Sequence, residues 1–260
     1  MEVLALEEYI NMLLPANDAG VLLFLIISFF IAGAVKGFLG IGLPAAAMAL
    51  MTLVMDPTSA ISLLFIPIFF TNLAQYSRAQ KPFDIAKEYR YFALALAFSI
   101  FLTASFINSV PQSFLTITIG AAMILFSVQS FFGINIPVKE TILWHSAIGI
   151  CSGVLGGLSG IWSPPVAMYL LSRNYSKEDF IGITGFLFLV GCLPLGLGLY
   201  LAGVVNLQSS LQSVVGLLFV LLGFRAGEIC RARITADVFR KVLLIAFFFM
   251  GLRLVLVGIF

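Results

Sequence analysis

Nearly all of this chain consists of apolar stretches about twenty residues long, with its charges gathered into the short segments between them. A helix of that length satisfies its own backbone and gives its side chains to lipid. A water-soluble fold of 260 residues has no such outlet for 26 Phe among 61% hydrophobic residues, because the core it can enclose is limited by surface-to-volume scaling. Charged residues are 10%, against roughly 25% in soluble domains. The period-2 alternation of an outer-membrane barrel is absent, so the expected fold is an all-α polytopic membrane protein.

The charges orient the spans. Arg78, Lys81, Lys87 and Arg90 form one basic cluster, Lys139 stands alone, and Arg173 pairs with Lys177. Arg225, Arg231, Arg233, Arg240 and Lys241 form the last cluster, leaving only Lys36 and Arg253 outside these segments. The positive-inside rule makes the four segments cytoplasmic. The other breaks carry Glu2, Glu7, Glu8, Asp18 and Asp56 and no Lys or Arg, so they face outward, both termini included. The acidic start is the reverse of a secretory signal, and the first apolar run is expected to remain in the protein.

Threading the chain through these assignments predicts full spans at 57–77, 91–108, 112–132, 180–201, 209–224 and 242–260. Residues 20–56 and 141–172 must each leave and return on the same side, so each is a hairpin. The return arms 44–55 and 164–172 are roughly 18 and 14 Å long, which puts the tips near mid-membrane or makes the arms strongly tilted, broken helices. The total is eight to ten segments.

The hairpins are related in sequence. GAVKGFLGIGLPAAAM at 33–48 and GVLGGLSGIWSPPVAM at 153–168 share seven of sixteen residues at an offset of 120. Three full crossings separate them, so the second copy is expected to be inverted. The predicted organisation is a first repeat over 1–138 and a second over 139–260, each a broken-helix hairpin plus three transmembrane helices. Interrupted helices in inverted repeats are a plan of secondary transporters, with the binding site at the repeat interface.

Glycines at Gly37, Gly40, Gly42 and at Gly156, Gly157, Gly160 let each hairpin unwind, and Pro44 and Pro164 suit the first turn of a new helix. Each break is expected to present free N–H groups at a helix N-terminus, where about half a positive charge attracts anions. Two breaks entering from opposite sides would converge on one site. The candidate substrate-binding residues are Lys36, Gly37, Gly40, Ile41, Gly42, Leu43, Asn72 and Gln75, with Gly157, Ser159, Gly160, Ile161, Trp162 and Ser163 from the second copy. Lys36 is the only charged side chain in either motif. The bland alternative for Gly33–Gly37, Gly153–Gly157 and Gly156–Gly160 is helix packing of the GxxxG kind.

Ser62, Pro67, Thr71, Asn72 and Gln75 put polar groups and a kink into the span 57–77, either as interhelical contacts or as ligand contacts; with a two-residue insertion allowed, the second repeat offers Thr184 and Pro194 for Ser62 and Asn72. Arg253 can snorkel outward, and His145 is expected to have an interfacial structural role. Cys151, Cys192 and Cys230 read as small core residues without metal spacing. No catalytic arrangement, cofactor motif or metal site is evident, and the chain reads as a non-enzyme.

The glycine-proline blocks Gly33–Pro44 and Gly153–Pro164, the length of 260 residues, the basic loop between the two halves of the first repeat and Gly251-Leu252-Arg253 resemble the sulfite exporter TauE/SafE family. The resemblance covers essentially the whole chain. It implies an inner-membrane permease for sulfite, sulfonates, thiosulfate or related anions, with the two glycine-rich blocks Gly37–Pro44 and Gly157–Pro164 as its signature. Family members commonly carry more consecutive glycines where this chain has Ile41-Gly42-Leu43 and Ile161-Trp162-Ser163. The expected partners are a small anion and membrane lipids, with no nucleic acid and either a monomer or a homodimer. A scaffold without flux is the rival reading; a cation carrier is opposed by the lack of acidic, histidine or paired cysteine ligands in the motif. With every acid in a loop or at a span end, no proton carrier is evident, and the expected mode is efflux down the membrane potential.

Overall fold

The computed structural model describes residues 19–134, 141–173, 175–233 and 236–260, and within them the chain forms eleven α-helices and no strand. The first half holds α1 (Ala19–Leu39), α2 (Leu43–Met51), α3 (Pro57–Tyr76), α4 (Pro82–Glu88), α5 (Arg90–Ser105) and α6 (Gln112–Phe132). The second holds α7 (Ile142–Ser159), α8 (Ser163–Leu171), α9 (Lys177–Leu201), α10 (Leu207–Arg233) and α11 (Ala236–Ile259). The acids Glu2, Glu7, Glu8 and Asp18, together with Lys139 and the 138/139 boundary, lie outside the described residues.

Six of these helices, α1, α3, α6, α7, α9 and α10, are long and apolar enough to cross a membrane. Apolar side chains such as Phe98, Leu102, Leu218 and Leu222 remain exposed on the outer surface, which suits a lipid solvent. The protein is a polytopic helical membrane protein.

Local chemistry sets the helix ends. Asp56 caps α3 by accepting from Ser59 N at 2.9 Å and from the Thr58 hydroxyl at 2.6 Å, and Pro57 fills the first turn. Ser176 caps α9 in the same way through Asp179 N at 3.1 Å. Inside α3, Pro67 removes the N–H that Leu63 O would have accepted. Ser213 of α10 takes its place, donating to Leu63 O at 2.7 Å and accepting from Ile66 N at 3.3 Å.

Glycine notches decide which helices touch. A Cβ on Gly33 or Gly37 would overlap the carbonyl oxygens of Val220 and Phe224, and one on Gly223 or Gly227 those of Phe30 and Ala34. Both series advance by four in the same direction, so α1 and α10 run parallel at backbone contact. Gly149, Gly153 and Gly157 fit α7 against Phe92, Leu96 and Ile100 of α5, again parallel. Contacts of Gly185 with Gln75 and of Gly196 with Phe65 make α3 and α9 antiparallel. Gly120 against Gly251, and Gly258 against Ile117, do the same for α6 and α11. Each of these four pairs joins one half of the chain to the other.

Two expectations change. The first arms of the hairpins are roughly 31 Å (α1) and 27 Å (α7), near the ~30 Å hydrocarbon thickness, and only the return arms α2 and α8 are short, at about 13 Å. The tips therefore reach far across instead of stopping halfway. Residues 225–233, expected as a loop, continue α10 as helix, because Gly227 stays packed on α1 and Glu228 bridges Arg78 and Arg225.

Candidate functional site

Both hairpin breaks use a left-handed glycine. Gly40 has φ +85° and Gly160 φ +71°, conformations that a side chain would strain. Gly40 N donates to Lys36 O at 2.7 Å and Gly160 N to Gly156 O at 2.8 Å, closing α1 and α7 in matching fashion. In the first break Ile41 and Gly42 (φ +96°) lead into Leu43, all buried. In the second, Ser159 Oγ accepts from Ile161 N at 3.0 Å and donates to Leu155 O at 2.6 Å.

The breaks do not converge. Gly40 lies against Ile181, and its carbonyl accepts from Gln75 Nε2 at 2.8 Å, one residue from the end of α3. Gly160 lies against Ile61, near the start of α3. Ile61 and Gln75 are fourteen residues apart on one helix, so the breaks stand about 20 Å apart along it. Full-length first arms carry each tip past the middle to the far side. The fourteen candidate residues accordingly form two clusters: Lys36 to Leu43 with Asn72 and Gln75 at one end of α3, and Gly157 to Ser163 at the other.

The two N-termini also differ in donors. Leu43 and Ala45 keep N–H groups in the first turn of α2, whereas Pro164 and Pro165 remove two in succession from α8, leaving Ser163. Gly37 and Gly157 face neighbouring helices, Phe224 and Thr103 respectively, which is the packing alternative for these two positions.

Between the breaks sits a charge. Lys36 is 2% exposed, and among the described residues it is the one Lys, Arg, Asp or Glu that is buried. Its Nζ donates to Asn72 Oδ1 at 2.5 Å, and Asn72 Nδ2 in turn donates to Ile68 O at 2.8 Å, fixing the amide so that its oxygen faces the ammonium. Cys192 of α9 lies within electrostatic range of Lys36, with its thiol directed to Phe65 O at 3.4 Å. The described ion pairs, Arg78–Glu228 at 2.7 Å and Arg225–Glu228 at 3.1 Å, do not include Lys36. Side chains of a helix lean toward its N-terminus, so Nζ lies back from the Gly40 tip, toward the middle of the bundle.

At the offset of 120 the counterpart of Lys36 is Gly156, whose missing side chain leaves room for Trp162. Trp162 is 1% exposed, packs edge-on to Phe188 at 5.7 Å, and its indole N–H has no acceptor among the described residues. Gln75 Oε1 is likewise buried without a donor. Such orphaned groups are costly unless something meets them.

Cavities approach from both ends. One of about 410 Å³ is lined by Gly37, Gln75, Arg78, Glu178, Glu228 and Arg231, and Gln75 in its wall donates to the Gly40 carbonyl. The other, about 370 Å³, is walled by Ser59, Ser62, Asn206, Ser209 and Gln212 without a charged residue. Gln212 and Ser209 come from α10, and Arg78, just past the end of α3, bridges to Glu228 of α10; neither cavity was visible in the spacing of the sequence. Cys192 could have been found, because it stands 120 residues after Asn72. Among the described residues no three of His, Cys, Asp and Glu gather for a metal ion.

The sequence of residues 25–254 matches the sulfite exporter TauE/SafE family. The chain belongs to the sulfite exporter TauE/SafE family. No curated protein and no solved structure gives a significant match. As a TauE/SafE protein it is a membrane transporter of the sulfite-exporter type, and its buried lysine, two glycine breaks and facing cavities are the parts such a role has to work with. His145, by contrast, ties the TauE/SafE fold together at a distance from Lys36: its Nε2 is 2.7 Å from Tyr169 OH, joining α7 to α8, and its ring stacks on Tyr89 at 5.5 Å.

Proposed function

We propose that the protein exports small sulfur-containing anions, such as sulfite, sulfonates or thiosulfate, and binds them at Lys36 between the two hairpin breaks. The observation that carries this reading is a buried lysine whose Nζ, among the described residues, meets a neutral amide and no acid. A charge in that position is retained only for a functional reason, and its natural complement is an anion. Gln75 and the first-turn N–H groups of α2 add donors at the Lys36 end, and the Trp162 N–H and Ser163 offer a second set farther along the path, at the other break. The substrate passes from the Arg78 cavity to Lys36 and on to the Ser59 cavity.

The inverted repeat, 1–138 against 139–260, belongs to this proposal. It is supported by reciprocal contacts at the offset of 120: Gly40 on Ile181 matches Gly160 on Ile61, and the α1–α10 pair matches α7–α5. Alternating access then exchanges the environments of the two breaks around one fixed charge. By the positive-inside rule the Arg78 end is cytoplasmic, and membership of the family favours the inner membrane.

The test is uptake of labelled sulfite into proteoliposomes holding wild-type protein, Lys36→Ala or Arg253→Ala. Saturable flux should fall at least tenfold in Lys36→Ala and persist in Arg253→Ala, whose side chain is exposed. Absence of flux in wild-type protein would favour a scaffold, and equal losses in the two variants would remove Lys36 from the site.

A further inference from the structure

We infer that Lys36 carries a proton together with the anion, so that the protein is a proton-coupled anion transporter whose proton carrier and anion ligand are one group. The inference rests on the proposed anion site at Lys36 and replaces the expectation of simple efflux down the membrane potential.

The surroundings of Lys36 supply the argument. From α3 it meets Asn72, and one turn on Gln75 holds the Gly40 carbonyl; both are neutral. α2 has no titratable residue in its sequence, and α9 offers the Cys192 thiol and, in its exposed first turn, Glu178, which shares the vestibule with Arg78 and Arg231. α10 offers Glu228 beside Gly37, but that carboxylate is taken by Arg78 at 2.7 Å and Arg225 at 3.1 Å, with Arg231 also in the adjoining vestibule. Among the described residues no acid is paired with Lys36. A buried lysine without a counter-charge favours its neutral amine, and the arrival of an anion reverses that preference. Asn72 presents an oxygen, the correct partner for either N–H form.

Protonation and anion binding are then two halves of one equilibrium. The empty site holds R–NH2; the loaded site holds R–NH3+ with the anion, the proton having come from water in the vestibule on the side of entry. Release of the anion leaves the ammonium uncompensated, and the proton departs to the same side as the anion. A monovalent sulfonate is therefore moved without net charge, and a dianion with one negative charge. Arginine cannot substitute in this cycle because its guanidinium does not deprotonate.

The test is calorimetric titration of the purified protein with thiosulfate, which brings no proton of its own between about pH 6 and 9, in two buffers of different ionisation enthalpy. We expect uptake of about one proton per thiosulfate at the alkaline end, falling toward zero in acid as the empty Lys36 becomes protonated. Lys36→Arg should bind without proton uptake. Asn72→Asp, which gives the lysine a permanent counter-charge, should also abolish uptake and weaken binding at least tenfold. Wild-type binding with no proton at any pH overturns the coupling and leaves the anion site standing. Undiminished uptake in either variant overturns the assignment to Lys36. If thiosulfate, sulfite and methanesulfonate all fail to bind, the anion site falls, and the coupling with it.

Discussion

At the scale of single residues, the Asp56 cap isolates one interaction. Burial pushes this carboxyl up, but the hydrogen bonds from Ser59 and Thr58 outweigh it and hold the group below the usual carboxylate value. The charged form is the one stabilised, so the cap's contribution is complete at neutral pH and fades from about pH 4 downward, as acid reaches the folded carboxyl. Asp56→Ala should lower stability by about 1 kcal/mol at pH 7, read as a lower melting temperature in detergent. That gap should close under acid; a gap constant with pH would mean that the cap does not act through its charge. The glycines give a second contrast. Gly40→Leu and Gly160→Leu should both insert and both lose flux, because each forces a side chain into a left-handed position where the chain breaks. Full flux from either variant would return that break to a packing role.

Among the helices, the kink in α3 makes a prediction about pairs. Ser213→Ala leaves Leu63 O buried without a donor and should cost about 1–3 kcal/mol. Pro67→Ala restores an N–H at position 67, so the loss from Ser213→Ala should largely vanish in that background; additive losses would show that Ser213 serves something else. Pro67 announced a kink in the sequence, but Ser213, which completes it, lies 150 positions after Leu63, the residue whose carbonyl it caps, and had no local signal. The same holds more widely. Helix ends at 57, 112 and 132 were legible because Asp56-Pro57, Pro111 and Gly133 are strong local punctuation. The end of α10 was not, since Arg225 and Arg231 read as a loop until α1 was seen to pack beside them. The glycine-proline repeat located both breaks, yet sequence alone could not say how far each arm reaches. Lys36 and Asn72 were visible as candidates separately; only the fold makes them partners.

For the whole molecule, the principal helix pairs, α1–α10, α5–α7, α3–α9 and α6–α11, all cross between the halves. A chain cut between residues 138 and 139 should therefore yield fragments that are degraded when made singly and restore sulfite flux when made together in one membrane. Accumulation of a stable, folded half would contradict that interdependence. The interlock also has a consequence for how the protein is made. Val220 and Phe224 follow 187 residues behind Gly33 and Gly37, the notches they fill. At ordinary translation speeds that is a wait of roughly 10–40 s. Throughout it the nascent first hairpin, lysine included, must be sheltered by insertion machinery or by its own return arm, and a ribosome stalled before residue 220 leaves it open to quality-control proteases.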